Sequence, residues 1–402
     1  MKEFDKMKKI LNRCAKSAYW GLFLSMLTYR FLNTTLFFED IDVFYAGGGT
    51  VVRICTWLFL KPQTIIAAIV ILLCLTEEQF NWKHTGVIAV YCMLILYCCK
   101  KTGCDSILSY LMLLPGAAKV DFEKLIKADV WVSTILTVVT IVCSLTGVLD
   151  NLTWGLSNGQ VRMAFGFIYS TDFAAHIFFL MLGWWYLRRE KANWKDSIFW
   201  LVTGAVVLKF SFARNSSALI AMTALLMAYC GKIKKTDVLE KEMLSAAPLI
   251  CAAAVSGLSV FYNPDIVWMK QLDSWFSNRL MLVKKAIDIY GFRLWGSSIP
   301  MTGNGGKTST DAAYFYIDSG YMQIGLLYGV VLLAIVLCLL TWICQRAAEQ
   351  DQRILLWIVA LACVHGMIEQ HLFELEYFPF FLAAFANLKE KGQRELLHGK
   401  EK

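Results

Sequence analysis

The chain has 402 residues, of which 57% are hydrophobic and only 17% charged, with a formal net charge of +8. The apolar residues gather in runs long enough to cross a hydrocarbon layer of roughly 30 Å, which a soluble core helix does not need. The basic excess lies mostly in loops between those runs, where it serves orientation and contact with anionic lipid, so it is no argument for nucleic acid.

Twelve transmembrane spans are predicted in chain order, approximately Ser17 to Phe38, Arg53 to Leu75, Thr85 to Cys98, Asp105 to Ala118, Val130 to Leu149, Phe165 to Leu187, Ser197 to Phe212, Ser217 to Cys230, Leu244 to Phe261, Ser319 to Cys344, Ile354 to Gln370 and Tyr377 to Leu388. Several are short or polar, so the expectation is ten to twelve helices in an all-α polytopic membrane protein. The basic start is followed by a long span carrying Arg30 and Asn33, without a small-residue cleavage pattern. It is expected to remain as the first helix.

Of the 39 Lys and Arg, most fall on the side of the amino terminus, including the loops around Lys119 to Lys127, Arg188 to Lys195 and Lys232 to Lys241, and the tail. Both termini are therefore expected in the cytoplasm by the positive-inside rule. Most of the thirteen cysteines lie in apolar runs and behave as small hydrophobes. Cys98, Cys99 and Cys104 cluster near a predicted outer turn, a candidate disulfide position set against ordinary apolar packing.

No soluble domain, repeat or low-complexity tract interrupts this single membrane domain of residues 1–402. Its one long loop, 262–317 between the ninth and tenth spans, faces outward and carries Trp268, Trp275, Phe276 and Trp295. Apolar residues from Trp275 to Tyr290 recur at helical spacing, predicting a surface amphipathic helix. The run Gly303-Asn304-Gly305-Gly306 lacks the context of a phosphate loop and is read as the hinge of a lid. Sugar-stacking candidates in this region are Trp268, Trp275, Tyr314, Phe315 and Tyr316, which as a set also fit an interfacial aromatic belt.

Outer-side cations run against the orientation rule. Arg162 precedes the sixth span, Arg214 ends the seventh, and Arg279 sits on the loop helix. Each alone is explained by snorkelling to lipid phosphate. Together, the first two in loops poor in other cations, they describe a cradle for a lipid-borne diphosphate, because the guanidinium fork binds phosphate oxygens bidentately. Lys61 and Lys209 fall within spans, and acids are available at Asp172, Asp311, Asp318, Glu369, Glu374 and Glu376, with His365 and His371 nearby. No His-x-x-x-His or comparable signature suggests a metal site, and none is expected.

In order, Arg162 with Gly166-Phe167 and Tyr169-Ser170-Thr171, then Ser211-Phe212-Ala213-Arg214-Asn215-Ser216, then Asn278-Arg279-Leu280, then Ile317-Asp318-Ser319-Gly320-Tyr321 and Tyr328-Gly329, resemble the bacterial polysaccharide polymerases of the Wzy type and the related O-antigen ligases. The likeness runs over roughly Arg162 to Leu388. Where that family pattern has His-Pro-Asn, this chain has Tyr169, Ser170 and Thr171, and where it has histidine before the tenth span, this chain has Asp318.

The resemblance implies glycosyl transfer at the outer face of a bacterial inner membrane. A glycan leaves polyprenyl diphosphate and joins an incoming lipid-linked oligosaccharide repeat, with no cofactor. Arg162, Arg214 and Arg279 then stabilise the departing diphosphate, Asp318 is first choice as base and Glu369 second, and Tyr169, Asn215 and Tyr321 join the arginines in holding substrate. Implied partners are the lipid-linked oligosaccharide, membrane lipid and a chain-length regulator protein. Two alternatives remain open at sequence level: a ligase sharing the site, and a flippase, which should show two related halves and broken midplane helices.

Overall fold

The computed structural model describes residues 2–37, 69, 82–103, 106–155, 159–233, 237–303, 305 and 314–388. Apart from Ile69, the predicted second span with Arg53 and Lys61 lies outside the described residues, as do Cys104, Lys235, Asn304, Gly306, Asp311 and the tail beyond Leu388.

The described chain is mostly helical. Its helices are α1 (Lys2–Leu32), α2 (Trp82–Thr102), α3 (Ser106–Leu113), α4 (Phe122–Leu145), α5 (Ser170–Arg188), α6 (Trp194–Ser211), α7 (Arg214–Lys232), α8 (Val238–Val260), α9 (Val267–Trp275), α10 (Arg279–Tyr290), α11 (Gly320–Gln323), α12 (Val330–Glu349) and α13 (Arg353–Ile368). Among the described residues, four helices are long and apolar enough to cross a membrane: α2, α4, α8 and α12. The only sheet among them is a two-stranded antiparallel ribbon, β1 (Thr153–Gly155) with β2 (Val161–Met163), in a stretch the sequence presents as a polar loop.

Burial on α4 is inverted relative to a soluble helix. It turns Asp129, Ser133, Thr137, Thr140 and Ser144 inward and exposes Trp131, Ile135, Val138 and Val142. Helices α6 and α8 likewise expose Ile198, Phe199, Val202 and Leu249, Ile250. Apolar stripes of this extent are costly in water and suit a hydrocarbon surround. Central helix α5 is buried on nearly every side, against α4, α6, α7 and α13. It is therefore apolar all round, as a core helix must be.

Three predicted spans are built differently from continuous helices. The fourth is only the eight-residue α3 followed by a 3-10 turn at Pro115–Lys119. The tenth is interrupted: α11 passes into a π-helical turn at Ile324–Tyr328 and breaks at Gly329, with φ +101°, before α12 begins. A β-carbon on Gly329 would stand 2.3 Å from the Leu294 carbonyl oxygen, so the break exists to let the loop backbone pass through. The twelfth predicted span is not a transmembrane helix. Its helical part is a six-residue 3-10 turn, Pro379–Ala384.

That segment still travels from one end of the bundle to the other. Tyr377 stacks on His176 near the start of α5 at 4.1 Å between ring centroids, while Phe380 meets Tyr186 near its end at 5.7 Å. Asn387 then exchanges backbone hydrogen bonds with Val120 and Phe122 at 3.0 and 3.1 Å. Irregular backbone survives at such depth only when protein covers it, and residues 377–384 are buried without exception.

The amphipathic helix predicted over Trp275 to Tyr290 is α10, which starts at Arg279, and a further helix, α9, precedes it. Consecutive left-handed residues Ser277 (φ 58°) and Asn278 (φ 63°) separate α9 from α10. Buried Asp273 caps the new helix, its Oδ1 accepting from the Leu280 amide at 2.8 Å. Leu280, Leu282, Val283 and Ala286 of α10 are buried, and the helix packs on α8. Cys98 is a free buried thiol.

Candidate active site

Three chain turns aim helix N-termini at one place. Helix α6 ends on Phe212 in the left-handed region (φ 51°), and after Ala213 the chain starts α7 at Arg214. The Ser211 hydroxyl oxygen accepts from the Ala213 amide at 3.2 Å, which tightens the reversal. The Asp273 cap makes Arg279 the first residue of α10. For α5, Phe165 (φ 52°) and Gly166 (φ 84°) bend the chain, and Asn151 Oδ1 accepts from the Phe165 amide at 2.8 Å. The end of α1 pins this bend through Leu36 N–H to Gly166 O at 2.9 Å and Ile168 N–H to Thr34 O at 3.0 Å. Tyr169 then precedes α5 directly.

Between these turns lies a cavity of about 580 Å³. Its lining includes Trp154 and Arg162 from the β-ribbon, Tyr169 to Asp172 opening α5, and Phe212 to Asn215 at the α6–α7 turn. Trp275 to Ser277, Arg279, Tyr314, Tyr316 and Asp318 come from the long loop, and Ile368 to His371 from the turn after α13. Seven of the eight site residues expected from sequence are among these. Tyr321 is the exception: it is fully buried, and its hydroxyl donates to the Cys363 carbonyl at 3.3 Å, so it braces α11 against α13 and touches no cavity.

The arginines divide into two kinds. Arg279 is held by two carboxylates, with Nε 3.3 Å from Asp318 Oδ2 and Nη1 2.9 Å from Glu369 Oε1, and Nη1 also donates to the Ile368 carbonyl at 2.8 Å. Burial opposes its charge, but Glu369 and Asp318 more than offset that and raise its affinity for the proton. It is therefore not a bare cation of the cradle, as the sequence suggests, but the clamp that positions both candidate bases. Among the described residues Arg162 and Arg214 are in no ion pair. Arg214 Nη2 donates to the Ser277 hydroxyl at 3.1 Å, while Arg162 Nε is buried without a hydrogen-bond partner. Burial first, then the like charges of Arg214 and Arg279, lower the Arg162 pKa. Asn215 Nδ2 is also buried and unpartnered. This wall offers donors and positive charge without an acceptor to match.

The opposite wall is acidic. Burial pushes Asp318 up to about 6, against the pull of Arg279, and the Tyr314 hydroxyl reaches its Oδ2 at 3.5 Å. His371, which the sequence reading left outside the site, lies between acids. Its Nδ1 meets Glu374 Oε2 at 2.8 Å, and its Nε2 faces Asp172 Oδ1 at 3.7 Å and Glu369 Oε2 at 4.0 Å. Burial works against the imidazolium, but Glu374, Asp172 and Glu369 outweigh it and raise His371 to about 9. Asp172 was likewise seen only as an available acid. The density of His and Glu between 365 and 376 is a sequence signal for this acidic wall, which Asp172 joins from α5.

His365 instead lies in the core, within 3.2 Å of the Ser216 hydroxyl. Of the aromatic candidates, Trp275, Tyr314 and Tyr316 line the cavity, and Trp268 and Phe315 do not. Gly303 and Gly305 are small for packing rather than for hinging: a β-carbon on either would stand 2.0 or 2.3 Å from atoms of the Tyr169 side chain. Among the described residues no group of three His, Cys, Asp or Glu is arranged to hold a metal ion.

Comparison with protein-family models, with curated proteins and with solved structures finds no match to this chain.

Proposed function

We propose that the chain is a polysaccharide polymerase of the Wzy type, which transfers a glycan from polyprenyl diphosphate to a lipid-linked repeat at the outer face of a bacterial inner membrane. The observation that carries this reading is that the N-terminus of α7 and the guanidinium groups of Arg162 and Arg214 line one cavity with Asp318 and Glu369. A helix N-terminus presents free N–H groups and partial positive charge that favour phosphate, whereas at α10 those amides are already taken by Asp273.

On this reading the diphosphate lies against Arg162, Arg214, Asn215 and the start of α7. The acceptor hydroxyl oxygen forms a bond to the anomeric carbon as the bond from that carbon to the diphosphate oxygen breaks, its electron pair leaving with the diphosphate. Asp318 takes the hydroxyl proton, with Glu369 held on the same guanidinium as the second choice. A carboxylate poised near 6 is ionised at neutral pH and still basic enough to accept that proton. Fixed donors facing the growing negative charge are commonly worth several kcal/mol.

The orientation belongs to the same proposal: ten to twelve crossings, both termini cytoplasmic, cavity outward. The irregular passage of Tyr377 to Asn387 brings Asn387 beside Asp121, which supports that topology. Deleting the gene should leave lipid-linked single repeats and abolish long polymer. Polymer of normal length in the deletion strain would refute the proposal.

A further inference from the structure

The acidic wall carries a second pattern beside the contacts of the leaving group and of Asp318. His371 is fixed from behind by Glu374 at 2.8 Å and from the side by Tyr377, whose ring centroid is 4.1 Å from its own. Its Nε2 stands 3.7 Å from Asp172 and 4.0 Å from Glu369, too far for a hydrogen bond to either. All three residues are buried and line the cavity.

An oxygen seated about 2.8 Å from both partners fits across each of those gaps. A hydroxyl suits the place better than any other common group, because it accepts from the imidazole N–H with a lone pair while donating its own hydrogen to the carboxylate. The two carboxylates lie on either side of the one Nε2–H, so of two neighbouring hydroxyls one accepts that hydrogen while each donates its own to Asp172 or Glu369. Tyr169, Tyr314 and Tyr316 supply aromatic faces around the same wall, the usual company of a sugar ring. A phosphate would meet Asp172, Glu369 and Asp318 here and be repelled.

We infer that His371, Asp172 and Glu369 form a saccharide subsite that grips vicinal hydroxyls of the acceptor repeat, with Glu374 and Tyr377 holding the imidazole in place. This rests on the polymerase reading for the word acceptor, although the subsite itself rests on the two gaps. It separates the tasks of the cavity: the Arg162 and Arg214 wall takes the anion, and the His371 wall takes the neutral, hydroxyl-rich part.

The test measures equilibrium binding of two probes to the purified full chain in lipid nanodiscs. One is the lipid-free repeat-unit oligosaccharide, radiolabelled and released by mild acid from the strain's own lipid-linked pool; the other is undecaprenyl diphosphate without sugar. His371→Phe keeps a ring on Tyr377 but removes the N–H, and should weaken oligosaccharide binding about tenfold, as loss of a charge-assisted hydrogen bond does. Undecaprenyl diphosphate binding should stay within about twofold of wild type. His371→Gln, a neutral donor, should fall between, and Asp172→Asn, which disturbs the wall without touching the ring stack, should also weaken oligosaccharide binding alone. Wild-type oligosaccharide affinity in His371→Phe, equal loss of both probes, or no oligosaccharide binding by the wild type would each overturn the subsite. Binding that depends on His371 in a protein that makes no polymer would keep the subsite and discard the polymerase.

Discussion

Arg279→Lys is the sharpest probe of the clamp. The guanidinium reaches Asp318, Glu369 and the Ile368 carbonyl at 3.3, 2.9 and 2.8 Å from two nitrogens set in a rigid plane. A lysine nitrogen is a single point on a flexible stem and keeps at most one carboxylate in register. Each charge-assisted bond lost beside a buried carboxylate costs about 1.5–3 kcal/mol. If even one of these positions the base, turnover falls about 10- to 100-fold. The pH profile carries the mechanism. Asp318 must be ionised to act, so the wild-type rate should rise with pH through about 6. Weakening the counter-charge of Arg279 raises the Asp318 pKa further, so the acid limb of the variant should move to higher pH. Polymer formation from purified lipid-linked repeat, followed at matched protein between roughly pH 5 and pH 8, checks both effects. Turnover near that of wild type with an unmoved acid limb would refute the clamp.

Arg162→Lys and Arg214→Lys should keep membrane abundance while losing about tenfold or more of polymer, because the fork and not the charge is removed. Lys284→Ala should be mild, since that amine meets Asp288 one turn along the same helix at 2.7 Å, and polymer ladders compare the three directly. Asp318→Asn should abolish transfer without weakening donor binding, and Asp318→His should retain a measurable fraction; near-normal turnover of the asparagine variant would pass the role to Glu369. Gly329→Ala should destabilise the protein by about 2–4 kcal/mol, read as a lower melting temperature, because its β-carbon would enter the Leu294 backbone at a φ of +101°. On a background without native cysteines, Gln160→Cys should react with an impermeant thiol reagent added outside and Lys191→Cys should not. The reverse pattern would invert the topology.

The cavity was more legible in the sequence than the scaffold around it. Arg162, Arg214 and Arg279 stand out because a cation in an outward loop needs a reason, and Asp318 because an acid sits where the loop returns to the bundle. Their pairing was not legible. Nothing in the spacing of Arg279 tells that Asp318, 39 positions on, and Glu369, 90 positions on, would share its guanidinium, since that contact depends on how α10 docks. Hydropathy likewise marks Tyr377 to Leu388 as apolar without distinguishing a lipid-facing helix from chain wrapped in protein. Phe378, Phe380 and Phe381 serve either, and only their burial decides. Tyr321 looked like a site residue because it follows Asp318 closely. A helical turn carries it to the far face of α11, where Cys363 receives its hydroxyl.

The difference between the arginines gives the cavity a direction. A buried cation matched by two anions is electrostatically satisfied, and Arg279 would gain little from a phosphate that must first compete with Asp318 and Glu369. Arg162 and Arg214 have the opposite problem: they repel each other, one is half-buried, and neither faces a carboxylate. Holding them so costs stability, and on the proposed reading an arriving diphosphate offsets that cost. On the proposed reading the donor therefore docks at the Arg162 wall first, which also turns its anomeric carbon away from the arginines and toward Asp318. An acceptor bound at the His371 wall presents the hydroxyls of its repeat there and meets the donor from the acidic side. The polarity of the two walls, more than the shape of the cavity, would then decide which substrate gives up its lipid.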